Sequence, residues 1–513
     1  MQRKHFKEGL AKVLKFFQKY WYYAIICFII TIGIFYRAEI YLIDKLIGFD
    51  EAQLIYNFTE NPGFLWVFHP LQNLQISPPL FLIAVKLLTK IFGYSEYVFS
   101  FIPFISSIVS IFVFYILSKQ FLAKKRSIIL ANFLFMINFI LLLYSFTFKQ
   151  YGLDVTVFMI ILMYSARINI EKLDWVTILK YGFIFTVLFF ISQPTIFILF
   201  GFICYAFLNT SIKHSFSKRV LIDTLKNYKF IFIAFIPLVF VLLYKFSMPS
   251  NLSDFMNDYW QIGFISIKNL PLLLKENLNF FTYQAKYLFW LIPFMLIGFL
   301  ISIFRKTRIN QILMFSILGA VLASILHLYP LLVRVIAYFI PFMIIFISRC
   351  FDIKILNTKV DKALSFLVIF LVFIVSGLFL ARVIFKNNMR IFYAANESKT
   401  INTILFENFD KKNDILILPA SSKTLYHYYS KRHNFYTGKI YEVNSYNKKA
   451  FIDGLNKIEK NKTYWIYLIS DDIRIRQEPF IRKWLNELKI SKKAYAFKTK
   501  LGKNSILYLI RLN

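Results

Sequence analysis

The chain has 513 residues, 58% of them hydrophobic and 20% aromatic, and a formal net charge of +34. Its mean hydropathy is +0.58, and apolar runs near twenty residues recur through its first three quarters, which excludes a soluble globular protein and defines a polytopic α-helical membrane protein. The basic residues are spread over many loops with no aromatic-basic recognition motif, so nucleic acid is excluded and anionic membrane lipid is the expected partner.

Spans are expected at roughly 20–37, 97–119, 127–147, 150–167, 176–192, 195–208, 229–247, 286–304, 311–327, 331–349 and 363–384, about 11 transmembrane helices. Cytoplasmic loops collect Lys and Arg. The N-terminal segment, with Arg3, Lys4, Lys7, Lys12, Lys15 and Lys19, is therefore expected inside. The same sign returns at Lys124-Lys125-Arg126, Arg167 with Lys172, Lys213 through Lys229, Arg305-Lys306-Arg308, and Arg349 with Lys354. No small-residue cleavage site follows the first span, which is expected to stay as an anchor in the inner membrane.

Residues 78–93 are apolar but too short for a normal span, and counting them as a crossing would place Lys124-Lys125-Arg126 outside. They are expected to lie along the outer interface, with Lys86 and Lys90 snorkelling to headgroups and water. Residues 37–96 then form one long external loop. Near its start the run Gly48-Phe49-Asp50-Glu51-Ala52-Gln53 heads an amphipathic stretch. Neighbouring helical residues point about 100° apart, so one carboxylate can aim at a site while the other makes a supporting bond. Asp50 is the expected working group, with Glu51 beside it. His69, in Phe68-His69-Pro70, belongs to the same loop.

Further along, Phe148-Lys149-Gln150-Tyr151-Gly152-Leu153-Asp154 opens a span from the outer side, and its spacing puts Gln150, Tyr151 and Asp154 on one helical face. Ionisable groups at such a boundary pair or face a wet cavity. Tyr259-Trp260, in the loop 248–285, reads first as an interfacial aromatic pair. In His327-Leu328-Tyr329-Pro330-Leu331-Leu332-Val333-Arg334, the arginine enters the apolar leaflet from outside and needs an anionic partner, a lipid phosphate or an acidic side chain.

From 385 to 513 the composition turns polar and basic. Short strands are expected at Ile415–Leu418, Tyr464–Ile469, Ala494–Phe497 and Ile506–Ile510, with helices near 449–460 and 479–489, giving a small extracytoplasmic α/β domain after a membrane domain of residues 1–384. Cys27, Cys204 and Cys350 fall within or at the ends of spans and suggest neither a disulfide framework nor a zinc site.

Asp50-Glu51 after the first span, Ser77-Pro78-Pro79-Leu80, Lys149-Gln150-Tyr151 with Asp154, Tyr259-Trp260, and Tyr329-Pro330 with Arg334 occur in an order that resembles the bacterial GT-C glycosyltransferases. The likeness is to the family 39 type, which includes protein O-mannosyltransferase-like and aminoarabinose transferase-like enzymes, and it covers most of the membrane part. It implies an integral, inverting transferase that takes a sugar from a polyprenyl-phosphate donor to an envelope acceptor, a lipid A, glycan, lipid or protein. By position Asp50 matches the family's loop acid, Asp154 its second acidic site and Arg334 the basic residue after the Tyr-Pro turn. Glu51 accompanies the catalytic pair; Gln150, Tyr151, Tyr259, Trp260 and Tyr329 are the implied substrate contacts. Ser77 stands where several relatives carry Lys or His, which leaves Lys149 and His69 beside Arg334 as phosphate contacts. The carboxylates make only a thin ligand set for Mg²⁺ or Mn²⁺, and no metal is assigned. A lipid or glycan transporter is the alternative; its ionisable groups should lie near the bilayer midplane in repeated halves, and no repeat is found.

Overall fold

The computed structural model describes residues 2–42, 47–61, 63–72, 75–213, 229–246, 261–282, 291–352, 359–361, 405–419, 423–432, 440–443, 463–471, 495–500 and 505–512, with the single positions 363, 366, 367, 370 and 374. In chain order the helices are α1 (Gln2–Leu42), α2 (Phe49–Glu60), α3 (Pro79–Phe92), α4 (Glu96–Phe121), α5 (Lys125–Ile137), α6 (Phe139–Leu143), α7 (Tyr151–Ser165), α8 (Trp175–Ile191), α9 (Thr195–Lys213), α10 (Phe232–Phe246), α11 (Leu270–Thr282), α12 (Ile292–Ile303), α13 (Arg308–Ile325), α14 (Ile340–Arg349) and α15 (Lys423–Arg432). The strands are β1 (Asp414–Pro419), β2 (Ile440–Val443), β3 (Thr463–Asp471), β4 (Tyr495–Lys500) and β5 (Ser505–Leu512).

Two compact units form. The first is Met1–Glu39, Ser77–Ala84 and Ser100–Gly377; the second is Ile40–Ile76, Val85–Phe99 and Leu378–Asn513. Among the described residues four helical stretches are long and apolar enough to cross a membrane, Tyr20–Leu42, Glu96–Phe121, Arg308–Ile325 and Arg334–Asp352, and five shorter apolar helices accompany them.

In the first unit two expected spans differ in detail. The run 127–147 is not one helix: it breaks at Asn138, whose Oδ1 accepts the N–H groups of Ile140 and Leu141 at 3.1 Å and so caps a new helix, α6. The run 331–349 begins as a 3₁₀ helix, Val333–Phe339, and becomes α-helical only at Ile340, just before Pro341 at the first turn of α14. Glycines allow close helix contacts. A Cβ on Gly201 of α9 would strike the Ile312 carbonyl and Ser316 of α13, and one on Gly298 of α12 would strike the Phe346 carbonyl of α14.

One end of this unit is tied by charge. Asp352 Oδ1 accepts the N–H groups of Ala123 (2.8 Å) and Lys124 (2.7 Å), and its Oδ2 meets Arg305 at 3.2 Å. Asp361 bridges Lys124 Nζ (2.6 Å) and Arg126 (2.8 Å), while Arg126 Nε donates to the Phe351 carbonyl. These residues belong to the basic loops from which the sequence assigned the cytoplasmic side.

The second unit holds a five-stranded sheet in the order β2-β1-β3-β5-β4. β2, β1 and β3 are parallel, and β5 runs antiparallel to both β3 and β4. The β1–β2 connection is parallel and therefore needs a crossover, which α15 supplies. Strand β2 and helix α15 were not expected; both are short and tyrosine-rich, without a clean hydrophobic period. The helices expected near 449–460 and 479–489 lie outside the described residues.

Lys86 corrects an expectation. Its side chain is 2% exposed and does not snorkel: Nζ donates to the carbonyls of Phe58 (2.7 Å) and Asn61 (2.8 Å) at the end of α2. A cation there satisfies orphan carbonyls and opposes the negative end of the helix dipole. Lys90 is exposed, with its ammonium 4.1 Å from the centre of the Phe64 ring.

Candidate functional site

In the second unit the acidic pair occupies the first turn of α2, where carboxylates are favoured by the positive end of the helix dipole. Glu51 is 7% exposed, and its Oε2 accepts the N–H of Gly48 at 3.0 Å. Gly48 has no side chain to return a bond, so only the glutamate half of a capping box exists. Asp50, its neighbour, is half-buried. His69 is exposed at the C-terminal end of the 3₁₀ turn Leu65–Phe68, with its backbone N–H bonded to the Trp66 carbonyl at 3.0 Å.

The other site candidates are in the first unit. Gln150 is the N-cap of α7, and its carbonyl accepts the Asp154 N–H at 2.9 Å, closing the first turn. Lys149, Gln150, Tyr151 and Asp154 are all buried. Ser77, the residue at the departing position, lies 3.4 Å from Gln150 with its hydroxyl directed at Oε1. A Cβ at Gly152 would meet the Tyr144 carbonyl at 2.5 Å, so only glycine lets α7 start this close to the end of α6.

One face of α7, made of Tyr151, Asp154 and Phe158 at spacings of three and four, packs on the 3₁₀ helix Val333–Phe339. The Arg334 guanidinium lies 5.9 Å from the Tyr151 ring centre, within cation–π range. One turn further along α7, the Phe158 and Tyr338 rings are 4.8 Å apart. Asp154 lies between these two contacts on the same face. Its carboxylate acts electrostatically on both Tyr329 and Tyr338. Ser192 stands beside it without a bond of good geometry, and among the described residues Asp154 Oδ1, Ser192 Oγ and Tyr338 OH are buried with no hydrogen-bond partner. A buried, unmatched carboxylate oxygen calls for a bound polar group or water.

Tyr329 completes the wall. Its ring meets Phe197 of α9 edge-on at 5.0 Å, and its hydroxyl donates to the Val335 carbonyl at 3.2 Å. The turn before it is strained: His327 has φ 57, with its ring stacked on Phe264 at 4.7 Å. Tyr259 and Trp260 lie outside the described residues. Phe158, Ser192, Phe197 and Tyr338 were missed from the sequence. Phe158 and Tyr338 each stand four residues after a residue that was singled out, Asp154 and Arg334, and that spacing was the available signal. Among the described residues no group of three or more His, Cys, Asp or Glu side chains is arranged to hold a metal.

Comparison with known proteins bears on the fold. No family model matches the chain, and no curated protein matches it. Among solved structures, ArnT from Cupriavidus metallidurans in the apo state aligns over 96% of this chain and 98% of its own, with a TM-score of 0.51 and 10% identity. ArnT from the same source bound to undecaprenyl phosphate aligns over 95% and 98%, with a TM-score of 0.47 and 10% identity. The chain is a polytopic α-helical membrane protein with the GT-C fold of ArnT and a small C-terminal α/β extension.

Proposed function

We propose that the chain is an integral membrane glycosyltransferase of the family 39 type that moves a sugar from a polyprenyl-phosphate donor to an envelope acceptor on the extracytoplasmic face. The observation that carries the reading is the α7 face: the cation Arg334 lies over Tyr151, and one turn along α7 the carboxylate of Asp154 has an oxygen unmatched among the described residues, in a chain of this fold. The order of the sequence motifs supports this donor class, and the fold is compatible with it.

Chemically, a polyprenyl phosphate is a good leaving group once its developing charge is met by fixed cations. Arg334 takes that role, seconded by Lys149. Asp50 accepts the proton of the acceptor hydroxyl as its oxygen bonds to the anomeric carbon. The bond from that carbon to the phosphate oxygen breaks on the opposite side, the anomeric centre inverts, and polyprenyl phosphate leaves with the bonding pair. Asp154 accepts hydrogen bonds from hydroxyls of the bound sugar. Gln150, Tyr151, Tyr329, Tyr259 and Trp260 are assigned to substrate contact, His69 to the donor side, and Glu51 to holding Gly48 beside Asp50.

The test is transfer from labelled polyprenyl-phosphate sugars by the purified chain in lipid nanodiscs. Asp50→Asn is expected to lower kcat by roughly 10²–10⁴-fold, the span of general-base catalysis, at unchanged protein level. Asp154→Asn should weaken use of the donor. Unchanged transfer in both variants defeats the proposal.

A further inference from the structure

We infer that the C-terminal domain is a positioning element of the acidic turn: Tyr428 and Tyr429 of α15 hold the start of α2, and through it Asp50. The inference rests on the reading of Asp50 as the base.

All of its contacts lie within the second unit. α15 packs along α2. The Tyr429 hydroxyl accepts the N–H of Ile47, two residues before α2 begins, at 3.4 Å, a long bond. The next N–H, that of Gly48, is taken by Glu51. The two backbone donors ahead of the helix are therefore held by two different elements, one by α2 itself and one by α15, and Asp50 follows in the first turn. Further along, His427 meets the Tyr56 ring at 6.1 Å, and Tyr428 meets Phe99 at 6.3 Å. The domain transmits its own rigidity to this contact. Tyr426, on the same helix, sits edge-on to Tyr467 of β3 at 5.7 Å, and Tyr467 is fully buried in the sheet.

Tyr428 separates positioning from plain packing. Among the described residues its hydroxyl is buried without a hydrogen-bond partner, yet Glu51 lies within electrostatic reach. Burial, with Tyr429 and Glu51 nearby, pushes its phenol well above the ordinary value, so at neutral pH it keeps its proton within electrostatic reach of the carboxylate that holds Gly48. A hydroxyl that served only to fill space would be dispensable. Its removal would be neutral or stabilising, because a buried orphan polar atom disappears.

The test uses Tyr429→Phe and Tyr428→Phe in the full chain in nanodiscs. Both keep the ring, so folding, read by thermal unfolding, is expected to hold. In Tyr429→Phe the Ile47 amide is expected to exchange about fivefold faster, the equivalent of one neutral hydrogen bond. In both variants kcat should fall about tenfold with the KM for the donor unchanged, since misplacing a reacting group by an ångström costs up to about 10²-fold. Parental exchange at Ile47 in Tyr429→Phe overturns the inference, and so does a parental kcat in both variants. An inactive parent would instead defeat the reading of Asp50 as base, and the exchange measurement alone would then decide whether α15 holds α2.

Discussion

Lys86 shows what a single buried charge does in this chain. The side chain is 2% exposed, and its ammonium is shared between two carbonyls at the end of α2, with the Tyr94 hydroxyl 3.4 Å away. Tyr94 also donates to the Phe58 carbonyl at 3.0 Å, so that oxygen keeps a partner if the lysine is lost, while Asn61 depends on Lys86 more heavily. Lys86→Met preserves the stem and removes the donors. It is expected to destabilise the chain by about 1–3 kcal/mol, the cost of leaving buried acceptors unmet, read as a lower unfolding temperature in detergent. From the sequence both Lys86 and Lys90 are expected to snorkel, because residues 78–93 read as a short helix lying along the interface. Nothing in a linear pattern reveals that the carbonyls of α2, 25 and 28 residues away, come to meet only one of the two.

At the scale of helices, the contact of α12 with α14 is made by absence of a side chain. Gly298→Ala would put a methyl group into the Phe346 carbonyl, which is backbone and cannot turn aside. The helices must separate, and the expected loss is about 1–3 kcal/mol, with the unfolding temperature lowered; a variant as stable as the parent would mean that α12 shifts freely. Helix identities were largely legible from apolar periodicity: α4, α7, α8 and α13 fall close to the expected spans because each is one unbroken apolar run. The breaks were not. Asn138 reads as one polar residue in an apolar span, and only its double capping bond to Ile140 and Leu141 turns it into a helix start. Likewise, motif order singled out Asp154 and Arg334, with Phe158 and Tyr338 one turn beyond them, but Phe197 comes from α9, remote in sequence from both motifs.

For the molecule as a whole, pH acts through the charged end of the first unit. The hydrogen bond from Arg126, then that from Lys124, draws Asp361 from the ordinary 3.8 down to about 2. A carboxylate bound more tightly to its partners when folded than when unfolded contributes stability above its unfolded pKa and loses it as pH falls through the folded one. The contribution is therefore fully present above about pH 4 and disappears between there and about pH 2. Asp361→Asn is expected to be less stable than the parent at pH 7, with the difference closing below pH 3; thermal unfolding in matched buffers measures it. A gap that stays constant across that range would show that the pair with Arg126 and Lys124 adds no net stability.

Arg37 has a consequence for biogenesis. Its side chain is fully buried in α1; one guanidinium nitrogen donates to the Gly33 carbonyl at 3.0 Å and approaches the Met136 sulfur at 4.0 Å, while Nε and Nη2 have no partner among the described residues. Met136 is 99 residues further along the chain, so at about 5–20 residues per second the ribosome delivers it roughly 5–20 s after Arg37 emerges. During that interval the C-terminal end of the first apolar helix, Tyr20–Leu42, carries an arginine that lacks its Met136 contact. The burial of this guanidinium is complete only once α5 has arrived beside α1.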